Sequence, residues 1–275
     1  MNADPKQNKS DIKEQTVLLA VFDIMGFSNK VRSLSLQEVY HHYEELRERT
    51  VSRYELWSFD LLRMDDVHVP AILRLDVESH IFSDSVFAWV PLKRGFSSPF
   101  MKWCCDFVCE ALSMDIPIRG AIAAGDAILD KATNTFMGKP IVEAHELEAA
   151  QDWIGIAFAH SAMWPPLVAD MSPKLIIEYE VPLKKGVAEP IALDWPRFWR
   201  EYYGGCASSK LETLRSSNPK EYSKYYTNAA EFARHSQKRS NWFNEPPQPA
   251  DKLTMVNYNN IRKHFENENK KEIKP

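Results

Sequence analysis

The chain divides into segments whose spacing of apolar and polar positions identifies them. Thr16 to Asp23 is an unbroken apolar run of strand length closed by one acid, which predicts a strand buried on both faces. From Leu34 to about Trp57, Leu36, Val39, Tyr40, Tyr43, Leu46 and Val51 recur at intervals of three and four, the signature of an amphipathic helix. Ser35 suits its N-cap, with Glu38 three residues on. Residues 71–91 hold two apolar runs around Ser83-Asp84-Ser85, so a β-hairpin with Asp84 at its turn is predicted. A helix over 99–114, a small-residue strand over 117–129 and a helix opened by Pro140 follow. The last carries Ile141, Ala144, Leu147 and Ala150 on one side. Leu175–Val181 and Pro190–Leu193 read as strands joined through Lys184-Lys185-Gly186.

The order β, α, β-hairpin, α, β, α, β predicts an α+β, ferredoxin-like sandwich with extra strands. Residues 1–15 are polar and expected to be disordered, and 16–196 form the main domain. From 197 the composition turns to Tyr, Lys, Asn, Ser and Glu, which predicts a helical C-terminal extension ending in a frayed polar tail at 275.

Composition narrows the function. At 275 residues and 44% hydrophobic content the chain can build a full enzyme core. A net charge of −4 argues against coating nucleic acid or an anionic membrane, so neither is an expected partner. Cys104, Cys105 and Cys109 crowd one apolar helical stretch and Cys206 stands apart, without paired spacing, which reads as reduced structural thiols rather than a zinc site. Neither an apolar leader nor a run long enough to span a bilayer is visible, so a cytoplasmic location is expected.

The candidate chemistry sits where two buried runs end. A carboxylate closing a buried strand must be paired, hydrogen-bonded or bound to a cation, and Asp23 is in that position. Its bland alternative is capping the next helix. Gly26 permits a backbone turn close to a phosphate. Asp84 lies on a tight turn, where Asp is also an ordinary turn residue. If the two acids converge, they form a hard-oxygen site suited to Mg²⁺ or Mn²⁺.

Four segments carry a resemblance. Phe22-Asp23-Ile24-Met25-Gly26-Phe27-Ser28 resembles the first-strand motif of class III adenylate and guanylate cyclases, and Ser83-Asp84-Ser85-Val86 is similar to their metal-binding turn. Ile118 to Gly125 and Met137-Gly138-Lys139-Pro140 match two later motifs in the same order. The resemblance implies the class III cyclase sandwich and two divalent ions, Mn²⁺ or Mg²⁺, held by Asp23, the Ile24 carbonyl and Asp84. It implies substrate contacts from Ile24, Met25, Gly26 and Phe27, and a homodimer with active sites at its interface. Arg119 reads equally as a phosphate contact or an ion-pair member.

The departures from the family motif are as informative. Where purine cyclases read the base, this chain has His80 and Thr135, and where they place Asn and Arg on the later helix it has Val142 and Glu146. The segment Ala144-His145-Glu146-Leu147-Glu148 is similar to that of the pyrimidine cyclases of bacterial Pycsar antiphage systems. That resemblance implies conversion of UTP, or else CTP, to a 3′,5′-cyclic nucleotide and pyrophosphate, read by a separate cyclic-nucleotide-binding effector. The alternatives are a catalytically silent nucleotide sensor and a purine cyclase. His80, His145 and His160 lie in apolar contexts and read more readily as core histidines, Gly204-Gly205 as a plain loop, and Trp195, Phe198, Trp199, Tyr202 and Tyr203 as packing or a subunit interface.

Overall fold

A computed structural model of the protein describes residues 14–52, 77–164, 167–168, 171–186 and 190–241. The expected disorder of residues 1–13, the end of the first long helix at 53–57, the start of the hairpin run at 71–76 and the tail beyond 241 lie outside the described residues.

Strand β1 (Glu14–Ile24) is the centre of the sheet. It begins at Glu14, inside the stretch expected to be disordered, because Glu14 and Gln15 already pair with Ile128 and Ala127. Helices α1 (Phe27–Ser33) and α2 (Leu36–Arg47) follow, then a wide helical turn over Glu48–Ser52. Ser35 caps α2 as expected: its hydroxyl accepts from the Glu38 amide at 3.2 Å, and Glu38 Oε2 accepts from the Ser35 amide at 2.8 Å. Strands β2 (Glu78–Phe82) and β3 (Ser85–Pro91) form the predicted hairpin. Then come α3 (Ser97–Ser113), β4 (Ile118–Asp130), the short β5 (Thr135–Gly138) and α4 (Lys139–Ala150). Strands β6 (Gly155–Phe158), β7 (Ile176–Glu178) and β8 (Ile191–Leu193) complete the sheet.

The sheet order is β2-β3-β1-β4-β6-β8-β7, with β5 paired to β4. Its first four strands are antiparallel in the β4-β1-β3-β2 order of a ferredoxin-like sandwich, as the sequence predicted. Strand β6 adds in parallel beside β4.

Alternation along β1 sorts its residues onto two apolar faces. Leu18, Ala20, Phe22 and Ile24 join the larger cluster under α3. Val17, Leu19 and Val21 join the smaller one with Trp89, Ala121, Ala123 and Ala144 of α4. Asp23 is the next residue on this second face, where the apolar run stops and a polar site begins.

Helices α5 (Trp195–Tyr202), α6 (Ala207–Ser217) and α7 (Ser223–Asn241) form the C-terminal extension. Trp195, Phe198, Trp199, Leu211 and Phe232 are buried in the same cluster as α3, so the first three aromatics of the stripe are internal packing, while Tyr202 is exposed. Cys104, Cys105 and Cys109 are buried free thiols, each pushed well above its ordinary pKa by burial. Gly204 and Gly205 form a loop at φ 77° and 70°, which only glycine adopts without strain. Among the described residues no helix is long and apolar enough to cross a membrane.

Candidate functional site

Asp23 and Asp84 are brought together by backbone pairing. In β1 against β3, Asp23 faces Ser85, and the Ile24 amide donates to the Asp84 carbonyl oxygen at 2.8 Å. The hairpin turn thus sets Asp84 beside the end of β1, and the charge of Asp84 acts on Asp23. Asp23 does not cap the next helix: the N-cap of α1 is Gly26, with no side-chain cap bond. The helix-capping alternative for this acid is therefore not what the structure shows.

Arg119 on β4 faces Asp23 across the ladder. Its Nη2 donates to Asp23 Oδ2 at 3.0 Å, its Nε to Glu148 Oε1 at 2.7 Å, and its Nη1 to the Gln151 carbonyl at 3.0 Å. Of the two readings left open for Arg119, the structure displays the ion pair. Its side chain is 11% exposed and that of Glu148 5%. The Gln151 side chain is held in turn by the Gly120 carbonyl at 2.8 Å, so the arginine rests on a buried polar network.

Burial pushes the Asp23 carboxyl above its ordinary 3.8, Arg119 opposes the rise, and the charge of Asp84 adds to it. Glu148 rises from 4.5 for the same first reason, with Arg119 lowering it and Asp23 raising it. Three acids therefore share this end of the sheet with one directly bonded guanidinium, an arrangement that favours a further cation. Among the described residues no group of three or more His, Cys, Asp or Glu is spaced to enclose a metal. Two carboxylates still fit a hard divalent ion of the kind that keeps water and substrate phosphate as its other ligands.

The loop after Asp23 is shaped as the sequence suggested. Gly26 sits at φ 76°, in the left-handed region. Met25 donates its amide to the Pro117 carbonyl at 3.0 Å, and Ile24 is buried. Phe27 packs edge-on against Tyr43 with ring centroids 5.3 Å apart, so its side chain serves packing.

His80 and Thr135 fall differently from each other. His80, on β2, lies on the second sheet face, its ring 4.6 Å from that of Phe136. Phe136 also contacts Phe87 at 5.9 Å and Trp89 at 5.8 Å, because the β4–β5 hairpin folds back over this face, and Lys131 near its tip bonds Glu78 on β2. Thr135 instead bonds the Thr133 hydroxyl at 2.9 Å within the hairpin turn. Alternation turns neighbouring strand residues to opposite faces, so Phe136 rather than Thr135 meets His80. On α4, Val142 is 56% exposed and Glu146 is also exposed.

Three residues escaped the sequence reading. Glu148 lies inside the Ala144–Glu148 segment, but its link to Arg119 spans 29 positions and has no local signal. Phe136 carried a strand signal too short to stand out. Tyr43 has the spacing of an apolar helix position; among the described residues its buried hydroxyl has no hydrogen-bond partner. Burial pushes that phenol far up, and Asp84 and Asp23 push it further, which places it within electrostatic reach of both acids. Phe27, Tyr43, His80, Ile81 and Ser83 line a cavity of about 610 Å³ between α2 and β2.

No protein-family model and no curated protein sequence matches the chain. Among solved structures it is similar to the catalytic core of a rhodopsin-guanylyl cyclase with converted specificity in complex with ATPalphaS. That similarity is at 13% identity and a TM-score of 0.37, covering 66% of this chain and 94% of that one. A class III adenylyl cyclase-like ATP-binding protein from Pseudomonas aeruginosa is similar at 12% identity and a TM-score of 0.34. The match covers 82% of this chain and 44% of that protein. At these TM-scores neither likeness adds weight to the reading of the site.

Proposed function

We propose that the chain is a metal-dependent nucleotidyl cyclase in which Asp23, the Ile24 carbonyl and Asp84 hold divalent cations, Mn²⁺ or Mg²⁺, beside a nucleoside triphosphate. The observation that carries this reading is the seating of Asp84 against Ile24, which sets two acids from distant parts of the chain at one strand end. Bound divalent ions would supply Lewis-acid activation of the ribose 3′-hydroxyl and would offset triphosphate charge. The chain's own residues position that chemistry. Arg119 fixes the rotamer of Asp23, and Glu148 and Gln151 fix Arg119.

For the base, the favoured substrate is a pyrimidine, UTP before CTP. Support comes from the missing purine-reading pair, from the Ala144–Glu148 resemblance, and from Phe136 closing over His80, which suits a small ring. In this reading the product is a cyclic nucleotide messenger in antiphage defence, and the active unit is a homodimer. The exposed Met137 and Val142, beside α4 and β5, suit a subunit contact.

Incubation of the pure protein with each of the four common ribonucleoside triphosphates and Mn²⁺, followed by chromatography and mass spectrometry, tests the proposal. Cyclic UMP as main product supports it in full. Cyclic AMP or GMP keeps the cyclase and removes the pyrimidine preference, and the absence of any cyclic product removes the enzyme.

A second reading is favoured by a specific observation. All three bonds of the Arg119 guanidinium go to protein, and exposed Val142 and Glu146 occupy the helix positions where the family resemblance calls for Asn and Arg. A silent nucleotide-binding sensor would have this arrangement. Saturable nucleotide binding without turnover, unaffected by Asp23→Ala or Asp84→Ala, distinguishes it.

A further inference from the structure

A second cavity, of about 490 Å³, lies at the opposite side of the β1–α1 loop, between the sheet and the C-terminal helices. Lys30 and Ser33 of α1 line one wall, Tyr222 and Tyr226 another, and Pro117 and Ile154 supply apolar floor. The Lys30 ammonium makes no hydrogen bond or ion pair among the described residues, and burial lowers its pKa from the ordinary value. Asp115 also lines the cavity and its charge reaches Lys30, but its carboxylate is bonded to Lys210 at 2.5 Å. Lys30, Lys210 and Asp115 together leave one positive charge uncompensated at the wall.

Two phenols beside Lys30 have donor capacity to spare. The Tyr222 hydroxyl accepts from Asn29 Nδ2 at 2.9 Å, which leaves its own proton free to donate. No hydrogen bond engages the Tyr226 hydroxyl among the described residues, and burial holds its proton in place with a pKa pushed up to about 12. An ammonium and two phenols converging on a cavity with apolar walls match an anion that carries an organic group.

We propose that this cavity binds a small organic phosphate, with Lys30 on the phosphate and Tyr222 and Tyr226 donating to it. The volume exceeds what inorganic phosphate alone would fill, and the apolar wall accounts for the rest of the ligand. Met25 and Gly26 line the same cavity, so its occupant touches the loop that leaves Asp23. Any effect on turnover rests on the cyclase reading; the binding itself does not.

The test is calorimetry on the full chain with uridine 5′-monophosphate, and separately with inorganic phosphate, in the presence of a chelator to silence divalent ions. Saturable binding of the nucleotide is expected, with phosphate competing weakly. Lys30→Met should weaken it roughly ten- to a hundredfold, as loss of a charge-assisted bond does, and Lys30→Arg should restore most of it. Tyr226→Phe, checked by circular dichroism, gives a smaller loss and covers the case in which Lys30→Met misfolds. Asp84→Asn should leave the affinity unchanged. No saturable binding, equal binding by Lys30→Met, or an affinity altered by Asp84→Asn overturns the site, the last by assigning the anion to the acidic cluster.

Discussion

Arg119 bonds Asp23 through Nη2 at 3.0 Å while the same guanidinium bonds Glu148 through Nε at 2.7 Å. One cation is thus divided between two acids that come from β1 and α4. Desolvation outweighs its attraction at both, since each carboxyl remains above its ordinary pKa. The arginine orients Asp23 without neutralising the cluster, which is what a residue supporting a cation site should do.

Glu148→Gln separates those roles. It removes the charge at a residue 5% exposed and leaves an amide oxygen that can still accept from Arg119 Nε, while Arg119 keeps Asp23 and the Gln151 carbonyl. Because desolvation outweighs the attraction of Arg119 for the ionised form, removing that charge should leave the urea midpoint unchanged or raise it, at unchanged slope. If Arg119 orients Asp23 only through the charge of Glu148, turnover nonetheless falls, through kcat rather than KM.

Asp84→Asn removes the charge that adds to the raised pKa of Asp23. Because Asp84 is bound to β1 through its backbone carbonyl, the turn should survive the substitution. The expected result is an intact fold by circular dichroism and a loss of Mn²⁺-dependent turnover of at least about a hundredfold. Activity within a few-fold of the parent would show that Asp84 holds no cation.

The two raised carboxyls also set a pH dependence. A folded-state pKa above the ordinary 3.8 of Asp23 and 4.5 of Glu148 means the native state holds those protons more tightly than the unfolded chain. Their stabilising contribution is complete below the ordinary values and is lost as pH rises through the raised ones. Stability in chelator should therefore decline across that window, and Mn²⁺, which needs the ionised forms, should restore it progressively. Buried Asp194 shifts in the same direction, so the difference between melting temperatures with Mn²⁺ and with chelator isolates the site. A difference that does not grow with pH would count against cation binding by these acids.

The parts legible in the sequence are those whose signal is local. Burial on both faces made β1 a continuous apolar run, the Ser35–Glu38 pair marked the start of α2, and Asp84 stood alone between two strand runs. Helix α1 gave no periodicity because none of its residues is buried. Strands β5 and β6 are four residues each, too short for a period to emerge. Thr135 was named where Phe136 makes the contact because hairpin register, not spacing, decides which neighbour faces His80. The Arg119–Glu148 bond depends on where α4 docks, which no stretch of sequence records.

Tyr43 offers the sharpest separation of stability from function. Its buried hydroxyl has no partner among the described residues, which costs the fold free energy, while its ring is held by Phe27 at 5.3 Å. Tyr43→Phe keeps the ring and deletes the unpaired group, so the variant should be as stable as the parent or gain about 1 kcal/mol. Burial, with the charges of Asp84 and Asp23 added to it, raises the phenol's pKa, so it remains a hydrogen-bond donor at neutral pH. If that donor meets the bound triphosphate, the variant binds and turns over substrate about tenfold less well at unchanged fold, since a lost hydrogen bond of this kind is worth about 1.4 kcal/mol. Equilibrium unfolding and initial rates on the same preparation read both effects; a less stable variant with full activity would mean the hydroxyl serves the fold alone.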